Sequence, residues 1–161
     1  MIEFIKAATP SDWRDLTRLR MVTEKTMKAS GLYDSEQLAN GRHELSKRFH
    51  RGTMWIARTD REVVGAIGLD GPDRRLWDDD PDHPEALYLY KVMGVPGCKI
   101  LGRLVEFAEF QARMKGLRLL RLDCLRDNPK LQGLWKSQGF QHLHDVPVAG
   151  YTAGALFEKE L

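Results

Sequence analysis

The stretch Gly116-Leu117-Arg118-Leu119-Leu120-Arg121-Leu122-Asp123-Cys124-Leu125-Arg126-Asp127-Asn128-Pro129-Lys130-Leu131 decides how this chain folds. From 117 to 125 leucines alternate with charged residues, the period of a half-buried strand, and Gly116 ends whatever helix comes before it. Asp127-Asn128-Pro129 then supplies an N-cap and a proline at the first helical position, where no N–H is needed. A short helix carrying Leu131, Leu134 and Trp135 is expected to follow and to close at Gly139. Upstream, residues 86–95 have strand composition and Pro96-Gly97 breaks them. Ile100, Leu101, Leu104, Val105, Phe107, Ala108 and Ala112 then recur at helical spacing. Strand, long helix, strand is a crossover, which places the chain in the α/β class.

The remaining segments extend this pattern in both directions. Residues 2–7 read as a strand, and Thr9-Pro10-Ser11-Asp12 starts a helix whose stripe of Trp13, Leu16, Leu19, Val22, Thr23, Thr26 and Met27 ends at Ser30-Gly31. Asp34 with Gln37 forms a capping box for a second helix bearing Leu38, Leu45 and Phe49. Residues 53–59 and 63–69 form a hairpin about Asp60-Arg61. Residues 70–85, rich in aspartate and broken by Pro72, Pro81 and Pro84, form a surface loop. After Gly139, residues 140–148 and 151–157 are the final strands, joined about Pro147 and Gly150. The expected order is therefore βααββ, loop, βαβα, ββ.

At 161 residues the chain is expected to be one domain spanning 1–161. Its 42% hydrophobic and 30% charged residues exclude a disordered or membrane-spanning class. A net charge of +2, from 25 basic against 23 acidic residues, lacks the basic excess that nucleic-acid binding uses. Two cysteines, Cys98 and Cys124, build no disulfide framework and suit a reducing compartment. The opening Met-Ile-Glu-Phe-Ile-Lys does not read as a signal peptide, so a cytoplasmic protein is expected.

A first chemical reading comes from Val92-Met93-Gly94-Val95, the glycine turn and the helix behind it. Unpaired N–H groups at a helix start suit a phosphate-bearing ligand, although such a glycine also serves plain backbone geometry. Asp78, Asp79, Asp80, Asp82 and His83 lack the spacing of a calcium loop and read as solvated surface, the functional alternative being attraction of a cationic amine substrate. Cys98 has no histidine partner in a recognisable motif, Cys124 reads as core, and His142 with His144 lack a third ligand. No metal site is expected.

Leu104-Val105-Glu106-Phe107-Ala108, the strand at 117–125, Asp127-Asn128-Pro129-Lys130-Leu131 and Trp135-Lys136-Ser137-Gln138-Gly139-Phe140 together resemble the GNAT superfamily of acyl-CoA-dependent N-acyltransferases. The resemblance covers roughly the second half of the chain, and the element order of the first half is compatible with it. It implies a mixed, mostly antiparallel central sheet with flanking helices, splayed between the strand ending at Val95 and that at 117–125 to admit coenzyme A. It implies pantetheine on backbone groups of Met93, Gly94 and Val95, pyrophosphate at Gly97, Cys98, Lys99, Leu101 and Gly102, and Asn128 along the adenosine-pantetheine side. Two departures stand out. The loop Pro96-Gly97-Cys98-Lys99-Ile100-Leu101-Gly102 is short, with its glycines displaced, and Trp135 stands where the family often has a tyrosine that protonates the departing thiolate. Indole N–H is no acid at neutral pH.

The activity so implied is transfer of an acetyl or other short acyl group from acyl-CoA to a primary amine of a small molecule or peptide. Glu85 is the expected base, and Tyr90 the group that orients substrate or replaces the acid missing at Trp135. The alternatives are a GNAT-fold module that binds coenzyme A with weak or no catalysis, and a cleft for an acyl-carrier thioester. No nucleic-acid or membrane partner is expected, and a homodimer through the late strands is left open. The acceptor itself depends on residues 32–50 and 70–85, which carry no recognisable motif.

Overall fold

The computed structural model describes residues 4–77, 85–147 and 154–161. The acidic run 78–84 and the connection at 148–153 lie outside the described residues, and with them the expectation that the run steers an amine. The elements are β1 (Phe4–Ala7), a 3₁₀ turn (Pro10–Asp12), α1 (Trp13–Ser30), α2 (Ser35–His50), β2 (Met54–Arg58), β3 (Val63–Asp70), β4 (Ala86–Gly94), α3 (Leu101–Met114), β5 (Leu119–Leu125), α4 (Pro129–Ser137), β6 (Gln141–Val146) and β7 (Gly154–Glu160). The seven strands are hydrogen-bonded in the order β1-β2-β3-β4-β5-β7-β6. Pairings of β1 with β2, β2 with β3, β5 with β7 and β6 with β7 are antiparallel, and β4 with β5 is parallel. This mixed, mostly antiparallel sheet with four flanking helices is the architecture that the resemblance implies. The chain divides into two compact units, residues 1–69 with 90–107 and residues 70–89 with 108–161.

In the first unit Leu16, Leu19, Leu45, Met54, Ile56, Val63, Ala66 and Met93 form the core. Local chemistry sets the helix ends. Gly31 stops α1 at φ 71, a left-handed conformation that suits glycine, with its N–H on Lys28 O. Asp34 and Gln37 exchange both capping-box bonds at the start of α2, at 2.8 and 2.9 Å. The expected apolar stripe of α1 does not run its full length. Val22 and Thr26 are exposed while Glu24 is buried. The second half of α1 meets α2 through charges: Glu24 takes Arg20 from its own helix and a two-point grip from Arg42 of α2.

In the second unit β7 pairs with β5 from Leu119–Glu160 to Leu125–Gly154, so it ends three residues later than expected from 151–157. Its charged end stays in the sheet because each charge has a partner. Arg121 Nε donates to Glu158 Oε2 at 2.7 Å, and Lys159 Nζ donates to Glu109 and to Gln138 O. Arg121, one of the charged residues that alternate with leucine in β5, is buried; its guanidinium lies 4.8 Å from the Trp77 ring centre and donates to the Tyr88 hydroxyl at 3.1 Å. In α4 the expected Leu134 is exposed, and Trp135 supplies the buried face.

Candidate active site

Two glycines on neighbouring strands hold the start of α3. A Cβ at Gly65 of β3 would stand 2.7 Å from Ile100 Cγ1, and one at Gly94 of β4 would overlap Ile100 Cγ2. The buried Ile100 side chain therefore sits in a dent that only residues without side chains leave. Val95 N–H donates to Val64 O at 2.9 Å and Val95 O accepts from Cys98 N–H at 3.1 Å, closing the turn. Val95 thus spends its N–H inside the protein, while Met93 and Gly94 lie beyond the β4–β5 register, which covers Ala86–Tyr88 with Leu119–Arg121.

Past this anchor the turn is exposed at Gly97 and Lys99, both left-handed, at φ 84 and 46. Glycine adopts that conformation freely, whereas for Lys99 it costs about 1 kcal/mol or more. The first-turn N–H groups of Leu101, Gly102 and Arg103 have no acceptor within the helix, and none among the described backbone bonds. Cationic Lys99 and Arg103 stand exposed beside them. N–H groups without a helical acceptor at the positive end of a 14-residue helix, beside two exposed cations, suit a pyrophosphate-bearing cosubstrate.

On the same strand, the ring of Tyr90 lies under the Arg48 guanidinium, 3.3 Å from centroid to Cζ. Arg48 is buried and also reaches Glu44 at 3.5 Å. Lys91, the next residue, has φ 47 in mid-strand. Its half-buried ammonium lies against Gly41 of α2, where an added Cβ would come within 3.1 Å of Nζ. Burial pulls the Lys91 ammonium below the usual lysine range. Glu44 and Glu24 work the other way, and Arg20 and Arg48 add to the fall.

The other expected residues belong to the second unit. Glu85 Oε2 accepts from Arg118 Nε at 3.0 Å with Nη2 at 2.9 Å, and Glu85 O accepts the N–H groups of Arg118 and Leu119, a clasp that starts the β4–β5 ladder. Asn128 Oδ1 caps α4 through Leu131 N–H at 3.1 Å. Trp135 is buried and meets Phe140 edge-on at 5.5 Å. We expect Trp135→Tyr to leave a void and a buried hydroxyl, lowering stability by about 1–2 kcal/mol and Tm by about 3–6 °C. A variant that melts like wild type while transferring acyl groups faster would move this position from packing into chemistry.

Cys98 is half-buried, and burial pushes the Cys124 thiol up to about 12, as befits a small core residue. His142 bonds Asp145 at 2.8 Å, and no cluster of three or more metal-ligating side chains occurs among the described residues. No helix among them is long and apolar enough to cross a membrane. Sequence reasoning missed Glu24, Arg48 and Lys91. The Arg20–Glu24 and Glu44–Arg48 spacings of four were visible, but nothing local announced their burial.

The fold and this strand–turn–helix define a class before they define a family. A GNAT acetyltransferase structure from Listeria monocytogenes 4b F2365 superposes with TM-score 0.78 at 24% identity, covering 98% of this chain and 94% of that one. The PaiA N-acetyltransferase of Thermoplasma acidophilum, solved with coenzyme A, superposes at 0.74 with 20% identity, covering 100% and 99%. In sequence, the chain is 26% identical over 163 residues to the uncharacterized N-acetyltransferase YesJ of Bacillus subtilis (strain 168), covering 96% of this chain and 88% of that protein. The family model of the acetyltransferase (GNAT) family matches residues 13–140, and the chain belongs to that family.

Proposed function

We propose that this protein transfers an acetyl or other short acyl group from acyl-CoA to a primary amine of a small molecule or peptide. The observation that carries this reading is the half-buried first turn of α3, fixed to the sheet by Ile100, with the exposed cations Lys99 before it and Arg103 within it. Support also comes from the CoA complex of the PaiA relative and from the activity named for YesJ. The cosubstrate brings an activated thioester. This chain's residues bind and orient: Gly97, Cys98, Lys99, Leu101 and Gly102 receive the pyrophosphate, and backbone groups of Met93 and Gly94 receive the pantetheine arm. Tyr90 is the proton-handling or orienting group. We place it ahead of Glu85, whose carboxylate is committed to Arg118, and of Trp135, which is buried and carries no acidic proton.

Acetyl-CoA at 100 times its Kd is expected to stabilise the fold by about 2.7 kcal/mol, with pantetheine giving much less because it lacks the phosphates. A panel of primary amines is expected to release free CoA thiol. Absence of both stabilisation and calorimetric binding would overturn the reading. Stabilisation without thiol release would favour the second reading, a CoA-binding module with weak or no catalysis, for which the buried indole at 135 speaks.

A further inference from the structure

We propose that Lys91 is a specificity-determining residue that binds a carboxylate on the acceptor, so that the preferred substrates are acidic amines. This rests on the acyltransferase reading above and narrows its substrate class.

Three observations meet at this side chain. The Lys91 ammonium is half-buried, yet it makes no hydrogen bond or close ion pair among the described residues. An ammonium withdrawn from water without a partner is costly, and such groups persist where a ligand completes them. The backbone at Lys91 is held at φ 47 within β4, a conformation unfavourable for a lysine. The absence of a side chain at Gly41 makes room for the ammonium, since a Cβ there would crowd Nζ.

The surroundings say which charge is missing. Both nearby carboxylates are engaged: Glu24 by Arg20 and Arg42, Glu44 by Arg48. Lys91 is thus the fourth cation around two acids that already have partners. Glu24 also lines a pocket with Arg20, Lys25, Lys28 and Arg42, so basic side chains outnumber acids around it. A cationic acceptor would meet repulsion, whereas a carboxylate gives Lys91 its partner. Lys91 also stands two residues before Met93 on the same strand, close in sequence to the backbone proposed to receive the pantetheine arm.

The test uses amines that differ only by a carboxylate, lysine against cadaverine and tyrosine against tyramine, as acceptors with acetyl-CoA. Wild type is expected to favour the carboxylated member by about 10- to 100-fold in kcat/KM, mainly through KM. Lys91→Met should bring the ratio near one, and Lys91→Arg should keep most of it. Calorimetry of glutarate against its diamide on the CoA-bound protein reads the same site without turnover, and circular dichroism melts confirm that each variant is folded. Transfer without carboxylate preference, or a preference that survives in Lys91→Met, overturns the proposal while leaving the acyltransferase reading intact. If no amine is acylated, glutarate binding lost in Lys91→Met sustains the anion site and sinks the enzyme reading. Equal affinity for glutarate and its diamide overturns the site.

Discussion

Gly94→Val is expected to lower stability by about 3 kcal/mol and to abolish the stabilisation proposed above for acetyl-CoA. The cause is geometric. Ile100 fills the dent between Gly65 and Gly94, and any side chain at 94 occupies the volume of its Cγ2. Either the strand bends or Ile100 is expelled, and Ile100 is what holds the first turn of α3 in place. Ile100→Ala approaches the same joint from the other side: truncation leaves a cavity and costs about 2–5 kcal/mol. The two changes should therefore compensate. Gly94→Ala with Ile100→Ala is expected to be at least about 1 kcal/mol more stable than the sum of the single effects, since the new methyl enters the volume the truncation vacates. Urea unfolding of wild type, Gly94→Ala, Ile100→Ala and the double variant measures this coupling. Additivity within about 0.5 kcal/mol would show that Ile100 does not lean on Gly94, and an undiminished acetyl-CoA shift in Gly94→Val would separate the joint from ligand binding.

Residues that act on their own chain neighbours were legible from the sequence. Thr9-Pro10, Asp34 with Gln37, and Asn128-Pro129 start helices where expected, and Gly31, Gly116 and Gly139 follow the ends of α1, α3 and α4 with φ of 71, 69 and 89. These signals act over one turn, so no tertiary knowledge is needed. Burial of charge was not legible in this way. Arg121 is enclosed by Trp77, Tyr88 and Glu158, the last of them 37 residues away, and Glu24 meets Arg42 across 18 residues. A charged residue read alone defaults to solvent. The turn before α3 was recognisable as a helix start, but the roles of Gly65 and Gly94 as a seat for Ile100 appear only when β3 and β4 are side by side. Lys91 was invisible for a different reason: a lysine in a left-handed conformation carries no sequence signature, unlike a glycine, and its neighbours come from α1 and α2.

Glu24→Gln is expected to cost about 2–3 kcal/mol near neutral pH, a difference that fades on acidification. Glu24 is buried and accepts from Arg20 Nη1 at 2.6 Å and from Arg42 Nε and Nη2 at 2.9 Å each. The Arg42 grip, reinforced by Arg20 and opposed by burial, lowers its carboxyl from 4.5 to about 2. A carboxyl depressed in the folded state is more readily protonated when unfolded, so its contribution is complete above about pH 4.5 and disappears as pH falls toward about 2. The full shift would correspond to about 3 kcal/mol, and water around the half-exposed Arg42 reduces that to about 2 kcal/mol. Glutamine keeps the shape and one carbonyl acceptor but sets an NH₂ against guanidinium and removes the charge both arginines need. Urea unfolding of wild type and Glu24→Gln between pH 3 and 7 should show a constant gap from 7 to 5 that narrows steadily below 4.5, and 1 M salt should shrink it at neutral pH, because Arg42 is open to ions. A gap that stays the same down to pH 3 would mean that the substitution acts through packing alone and that the charge on Glu24 does not hold α1 to α2.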